Sequence, residues 1–145
     1  AKYADAWDGM GIWNYTPRTD EDYLAFFTRK LGDFRKMCIE AGRDPAKVTA
    51  SSTMFVAVAP TQAEADEMVA ESRRGVLSDG NPAFAGTTDG LVDFIVQNYR
   101  AGARDIQLLS AASRLRGSRW SPEDFIRVVG TEVAPAVRAA VKDLP

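Results

Sequence analysis

Two short segments of the chain carry the side chains best suited to binding a small molecule. The residues are Trp7, Asp8, Trp13 and Arg18 in the glycine- and aromatic-rich AWDGMGIWNYTPR, and Arg116 and Arg119 in SRLRGSRW. An arginine guanidinium binds a phosphate or a carboxylate through two parallel hydrogen bonds. The alternative is that the aromatic rings anchor loops on neighbouring helices and that the arginines are ordinary surface charges.

Several familiar chemistries are excluded by composition. The chain has no histidine and one cysteine, so a zinc site with histidine ligands and a Ser-His-Asp triad cannot be completed within it. Gly9 and Gly11 lack the third glycine and the helix of a dinucleotide fingerprint. Cys38 lies in a helical pattern, which favours a small buried apolar residue over a nucleophile. Asp5 and Asp8 flank Trp7, but nothing in the sequence indicates an acid–base pair, so the catalytic residues stay unknown and no metal site is predicted.

Charge and hydropathy also limit the partners. The 18 basic and 20 acidic residues are interspersed, so no basic stripe points to nucleic acid. No apolar run reaches the roughly 20 residues that span a bilayer, and no signal peptide is recognisable. The sequence therefore predicts a cytoplasmic protein of one domain with no membrane partner.

Capping residues, glycines and apolar runs in the first half of the chain predict a strand, a helix and a second strand. Ala4 to Trp7 is the end of a strand that opens into a long loop. Thr19, followed by three acids, is predicted to cap a helix that ends at Gly42. The β-branched, nearly continuous apolar run from Val48 to Ala59 is typical of a strand covered on both faces.

The second half continues the alternation. Thr61 and Glu64 form a capping-box pattern for a helix that ends near Arg74, and the segment from Gly75 to Gly86 is predicted to be an exposed loop. The further predictions are a helix from Thr88 to Ala101, a strand from Asp105 to Leu109, and a last helix opened by Ser121-Pro122-Glu123 and kinked or split at Pro135.

This order predicts an α/β fold with a parallel sheet and right-handed crossovers. Three strands cannot close a barrel, and a (β/α)8 barrel takes about 250 residues, so the chain supplies at most about half of one. The opening residues Ala1 to Ala4 look like the tail of a helix that begins upstream. Residues 1–145 are therefore interpreted as a single partial domain; the alternative is a small open α/β sandwich.

A family resemblance covers Tyr3 to Arg138. It rests on YADAW followed by a loop and a helix ending in EAGRDP, a strand ending in VAVAPT, the unit GTTDGLVDFIVQNYRAGARDIQLL, and a final helix ending in EVAPAVR. In this order the segments resemble the C-terminal half of the bacterial-luciferase-like family of flavin- and deazaflavin-dependent monooxygenases and oxidoreductases. The chain departs from the family pattern at GTTDGL, where the family has GTPEEV.

The resemblance implies a TIM-type barrel and a cofactor, either FMN or the deazaflavin coenzyme F420. It implies cofactor contacts at Trp7 and Asp8, and contacts with a small-molecule substrate at Trp13, Arg18, Arg116 and Arg119. The family's flavin-ring residues and its glycine-rich phosphate turn lie upstream of Ala1. The isolated chain is therefore expected to be inactive without the N-terminal half of the barrel.

Two functions follow as hypotheses. The first is a part of a luciferase-like oxidoreductase that supplies substrate-side loops of the barrel mouth. The second is a noncatalytic α/β half-barrel module that self-associates through exposed strand edges, since such edges template pairing with another chain. The expected partner is accordingly the missing half of the barrel or a second copy of the chain.

Overall fold

The structure, a computed structural model, describes residues 2–9, 21–73, 82–110 and 121–144. The strands are β1 (Ala6–Asp8), β2 (Thr49–Val58), β3 (Phe84–Gly86) and β4 (Asp105–Ser110), and the helices are α1 (Tyr23–Glu40), α2 (Gln62–Arg73), α3 (Thr88–Ala101), α4 (Pro122–Val128) and α5 (Ala134–Val141). All strand pairs are parallel. The predicted α/β fold with a parallel sheet is confirmed.

Strand β2 is the centre of the sheet. Its register with β4 runs from Ser51 opposite Asp105 to Val56 opposite Ser110. β1 pairs with the beginning of β2, where Asp8 lies opposite Ser51, and β3 pairs with its end, where Gly86 lies opposite Val58. Because a strand has two edges and β4 occupies one of them, β1 and β3 share the other edge end to end.

The sheet has two different faces, since successive side chains of a strand point to opposite sides. One face packs against the helices: Met54, Val56 and Val58 of β2 belong to one core cluster with residues of α1, α3 and α4. The alternating residues Ala57 and Ala59 instead pack with Ala65 and Met68 of α2. Helix α2 therefore covers the opposite face at the carboxyl end of β2.

The start of α1 differs from the sequence prediction. The helix begins at Tyr23, and the N-cap is Asp22, whose carboxylate accepts a hydrogen bond from the Ala25 N–H at 2.8 Å. Thr19, the predicted cap, lies outside the described residues. The correction has a physical reason, because aspartate is as good a cap as threonine and several candidates follow one another here.

Two further predictions need correction. Phe84 to Gly86 is a strand rather than part of a loop, because its backbone pairs with β2; residues 75–81 lie outside the described ranges. Lys2 to Ala4 form no helical turn, so the predicted helix tail is wrong over these residues. Among the described residues, no helix is long and apolar enough to cross a membrane.

The other helix predictions are confirmed. Helix α3 has the predicted bounds, and Gly102 ends it at φ 114°. The last helix is interrupted before Pro135 by a π-helical segment (Val129–Val133), where the Ala134 N–H donates to the Val129 carbonyl. Proline has no N–H and its ring crowds the carbonyl four residues back, which explains the interruption. Cys38 is fully buried in the helix-side core, as predicted.

Candidate functional site

The face of the sheet opposite the main helix layer carries mostly polar side chains, with two apolar ones towards the carboxyl ends of β2 and β4. We call it the polar face, and it comprises Asp8 of β1, Ser51, Thr53 and Phe55 of β2, and Asp105, Gln107 and Leu109 of β4. The assignment follows from alternation, because Ile106 and Leu108 of β4 pack against the helix-side core. Helix α2 borders this face at Ala57.

Asp8 is the centre of the hydrogen bonding on the polar face. The Ser51 hydroxyl donates to Asp8 Oδ1 at 3.0 Å, and the Thr53 hydroxyl lies 3.1 Å from both Asp8 oxygens. Ser51 and Thr53 are buried, whereas Asp8 is exposed. Bonds from neutral donors to a carboxylate are stronger than bonds between neutral groups, so the two hydroxyls hold an accessible carboxylate in one orientation.

A second polar cluster lies directly behind the first, on the helix side of the sheet. The Tyr23 hydroxyl at the start of α1 lies 2.9 Å from Ser52 Oγ, 3.2 Å from the Thr53 carbonyl and 3.4 Å from the Gly9 carbonyl. Tyr23 is 4% exposed. Burial raises the pKa of Tyr23 to about 12, and the nearby charge of Asp8 adds to the increase.

Gly9, which follows Asp8, lies close to two aromatic rings that leave no room for a side chain. Its N–H donates to the Ser51 carbonyl at 2.9 Å, which extends the β1–β2 pairing past Asp8. A Cβ at Gly9 would lie 2.8 Å from the Phe27 ring and 2.9 Å from the Trp7 ring. The chain therefore leaves β1 in the narrow space between these two rings.

The structure separates the two residues predicted to contact a cofactor. Asp8 lies on the polar face, whereas the Trp7 indole stacks on Phe34 with ring centroids 5.3 Å apart and lies 5.8 Å from Phe27. This is the packing role that the sequence left as the alternative for Trp7, and its cofactor role stays a prediction. The predicted substrate residues Trp13, Arg18, Arg116 and Arg119 lie outside the described residues.

The position of Asp8 along the sheet can be compared with the position of the active site in barrel enzymes. In barrel enzymes the active site forms at the carboxyl ends of the strands. β2 and β4 end close together, with Val56 opposite Ser110, but β1 ends at Asp8, opposite Ser51 near the amino end of β2. On the polar face, Asp8 therefore lies near the amino end of β2, whereas the last residues of β2 and β4 lie at the other end of this face.

Sequence reasoning missed Ser51, Thr53 and Tyr23. The signal for the first two was the run Ser51-Ser52-Thr53 inside an otherwise apolar strand, since buried hydroxyls need partners. Tyr23 gave no comparable signal, because an aromatic residue in the first turn of an amphipathic helix is an ordinary core residue.

A parallel α/β sheet with α1, α3 and α4 against one face and α2 against the other defines the class of fold. No known protein-family model matches the chain, and no curated protein matches its sequence. Solved structures do share the fold, at low sequence identity and over part of their length.

Three of these structures can be named. An F420-dependent secondary alcohol dehydrogenase in complex with an F420-acetone adduct matches 77% of this chain and 40% of its own, at 18% identity and a TM-score of 0.53. The coenzyme F420-dependent tetrahydromethanopterin reductase from Methanopyrus kandleri matches over 76% and 42%, at 17% identity and a TM-score of 0.50. A riboflavin lyase with modified FMN and riboflavin matches over 83% and 37%, at 13% identity and a TM-score of 0.56.

The chain thus spans about two-fifths of the length of these proteins. At such identities the matches establish the fold and leave the activity open. They agree, at the level of the fold, with the resemblance read from the sequence.

Proposed function

We propose that the chain is part of a flavin- or deazaflavin-dependent oxidoreductase of the luciferase-like family, and that its polar face lines the interior of a (β/α)8 barrel. In such a barrel the helices cover the outside of the sheet and the other face of each strand points inward. The sheet of this chain has a similar division over most of its length, with the core formed with α1, α3 and α4 on one face and Asp8, Thr53 and Gln107 on the other. Helix α2 is the exception, since it packs on the second face at Ala57.

The observation that carries the proposal is the polarity of that inner face. Barrel interiors are mostly filled with branched apolar residues that pack the core. Here Ser51 and Thr53 occupy β2 instead, and both hydroxyls donate to the Asp8 carboxylate. An oriented carboxylate contributes little to packing, and it suits a ligand that carries hydrogen-bond donors.

The residues of the polar face fit the ring system of a flavin or a deazaflavin. The pyrimidine edge of that ring presents an N–H donor and carbonyl acceptors, and the rest of the ring is flat and largely apolar. Asp8 accepts hydrogen bonds and the Gln107 amide both donates and accepts, while Phe55 and Leu109 supply apolar surface. When bound, the cofactor supplies the hydride chemistry; the chain holds and orients it.

Cofactor binding by the purified chain tests the proposal. We expect saturable quenching of the fluorescence of either FMN or coenzyme F420 at micromolar concentrations. Thr53→Val keeps the shape of the side chain but removes the hydroxyl that bonds to Asp8, and should weaken binding roughly three- to tenfold. Thr28→Val is the matched control, because the Thr28 hydroxyl bonds to the Leu24 carbonyl on the exposed surface of α1.

Two outcomes contradict the proposal. One is the absence of saturable binding of either cofactor to the wild-type chain. The other is equal weakening by Thr53→Val and Thr28→Val, which would move the cofactor away from the polar face.

The second candidate function is a module that associates with another chain through its strand edges. It is supported by the topology: within the described part of the chain, no strand pairs with the edge of β4 that faces away from β2. The partner is either the remaining strands of the barrel or a second copy of the chain. Unpaired edges of this kind template further strand pairing.

A further inference from the structure

The Tyr23 hydroxyl joins three parts of the chain that are distant in sequence. Tyr23 is the first residue of α1. Its hydroxyl lies within hydrogen-bonding distance of Ser52 and Thr53 on β2 and of Gly9, which follows β1. Tyr23 thus contacts both strands that meet at Asp8, β1 through the residue that follows it and β2 directly, from the helix side of the sheet.

The direction of these hydrogen bonds can be assigned from chemistry. The carbonyls of Thr53 and Gly9 only accept, so a hydrogen bond from Tyr23 to either of them uses the hydroxyl proton of Tyr23. In the arrangement that keeps these bonds, Ser52 donates its own hydroxyl proton to Tyr23 Oη. This assignment requires a neutral tyrosine, which agrees with the raised pKa of Tyr23.

The two carbonyls that Tyr23 contacts belong to residues that are directly connected to Asp8. Gly9 directly follows Asp8 in the chain, and Thr53 donates to the Asp8 carboxylate through its side chain. A shift of either backbone segment would change the distance between the Thr53 hydroxyl and the carboxylate.

We propose that Tyr23 is a positioning residue for Asp8: from the helix side of the sheet, its buried hydroxyl fixes the backbone of Gly9 and Thr53 and so holds the carboxylate on the polar face. The importance of this positioning for a ligand rests on the proposed function. The effect on the backbone does not.

Amide hydrogen exchange in the ligand-free protein tests the backbone effect. Tyr23→Phe removes only the hydroxyl, and we expect exchange of the Gly9 N–H, which donates to Ser51, to accelerate about tenfold. Exchange of the Ala83 N–H, which donates to Phe55 at 2.8 Å, should not change. Tyr99→Phe is the matched control, because it makes the same chemical change on α3, and it should leave Gly9 unaffected.

Binding of FMN and coenzyme F420 to a double-mutant cycle tests whether Tyr23 acts through Asp8. Tyr23→Phe should weaken binding of the cofactor that the wild type binds by roughly three- to tenfold. In an Asp8→Ala background the same change should have no further effect, because the group it positions is gone.

The outcomes separate this inference from the proposed function. Unchanged exchange at Gly9, or equal acceleration at Gly9 and Ala83, would overturn the positioning role. Additive losses of binding in the cycle would also overturn it. If the wild type binds neither cofactor, the polar face of this chain does not form a cofactor site by itself, and the exchange at Gly9 alone decides what Tyr23 does.

Discussion

At the scale of single residues, the site depends on Gly9 having no side chain. A methyl group there would meet Phe27, which is fully buried and cannot move aside. We expect Gly9→Ala to lower the free energy of unfolding by about 1–3 kcal/mol, as other overpacked positions do. Urea denaturation followed by circular dichroism measures this change.

Gly32→Ala is the control for Gly9→Ala. Gly32 lies inside α1, and a Cβ there would meet nothing within 4 Å. Replacing an unconstrained helical glycine with alanine stabilises a protein by roughly 0.5–1 kcal/mol. If both variants change stability in the same direction, the close approach of Gly9 to Phe27 is wrong.

At the scale of elements, the start of α4 is stabilised by a reciprocal cap. The Ser121 hydroxyl accepts from the Asp124 N–H at 3.1 Å, and the Asp124 carboxylate accepts from the Ser121 N–H at 3.2 Å. Ser121→Ala should cost about 1 kcal/mol of stability at neutral pH. Thermal unfolding measures the loss.

The same cap predicts a pH dependence. Hydrogen bonds from Arg127, and then from Ser121, lower the pKa of Asp124 below its ordinary value of 3.8. A carboxyl group whose pKa is lower in the folded state stabilises the fold above its unfolded pKa, and this contribution disappears as the pH falls through the folded pKa. We therefore expect Asp124→Asn to reduce the loss of stability between pH 5 and pH 2. An unchanged acid profile in Asp124→Asn would contradict the cap.

Elements with strong local signals could be predicted from the sequence, and elements fixed by distant contacts could not. Thr87 and Gly102 delimit α3 by local chemistry, since one caps the helix and the other adopts a positive φ. The three residues of β3 form a strand only because β2 lies beside them, so their local sequence predicts a loop. The start of α1 was ambiguous because consecutive residues were all able to cap it.

The candidate site was only partly predictable, because it is formed by contacts between residues that are distant in sequence. Asp8 was identified through a family resemblance, but its partners Ser51 and Thr53 lie 43 and 45 residues further along the chain. Alternation along β2 places their hydroxyls on one face; only the register with β1 places that face against Asp8. Local sequence does not encode register between strands that are so far apart.

At the scale of the whole molecule, the edge of β4 is where we expect another strand to pair. The Arg104 N–H donates to Ala50 of β2 at 2.7 Å, and alternation along a parallel strand then points the N–H of Gln107 away from β2. Proline is tolerated at such outward positions, where it removes a donor that another strand would need. Gln107→Pro thus disables the edge while leaving the bonds to β2 in place.

Light scattering across micromolar concentrations then tests the self-association of the 15.8 kDa chain. We expect the wild type to exceed the monomer mass as concentration rises. Gln107→Ala should behave like the wild type, because it removes the side chain and keeps the N–H, whereas Gln107→Pro should stay monomeric. If the wild type remains a monomer throughout, association through the strand edges is wrong. If Gln107→Ala dissociates as fully as Gln107→Pro, the contact is made by the side chains of the polar face and not by the backbone of β4.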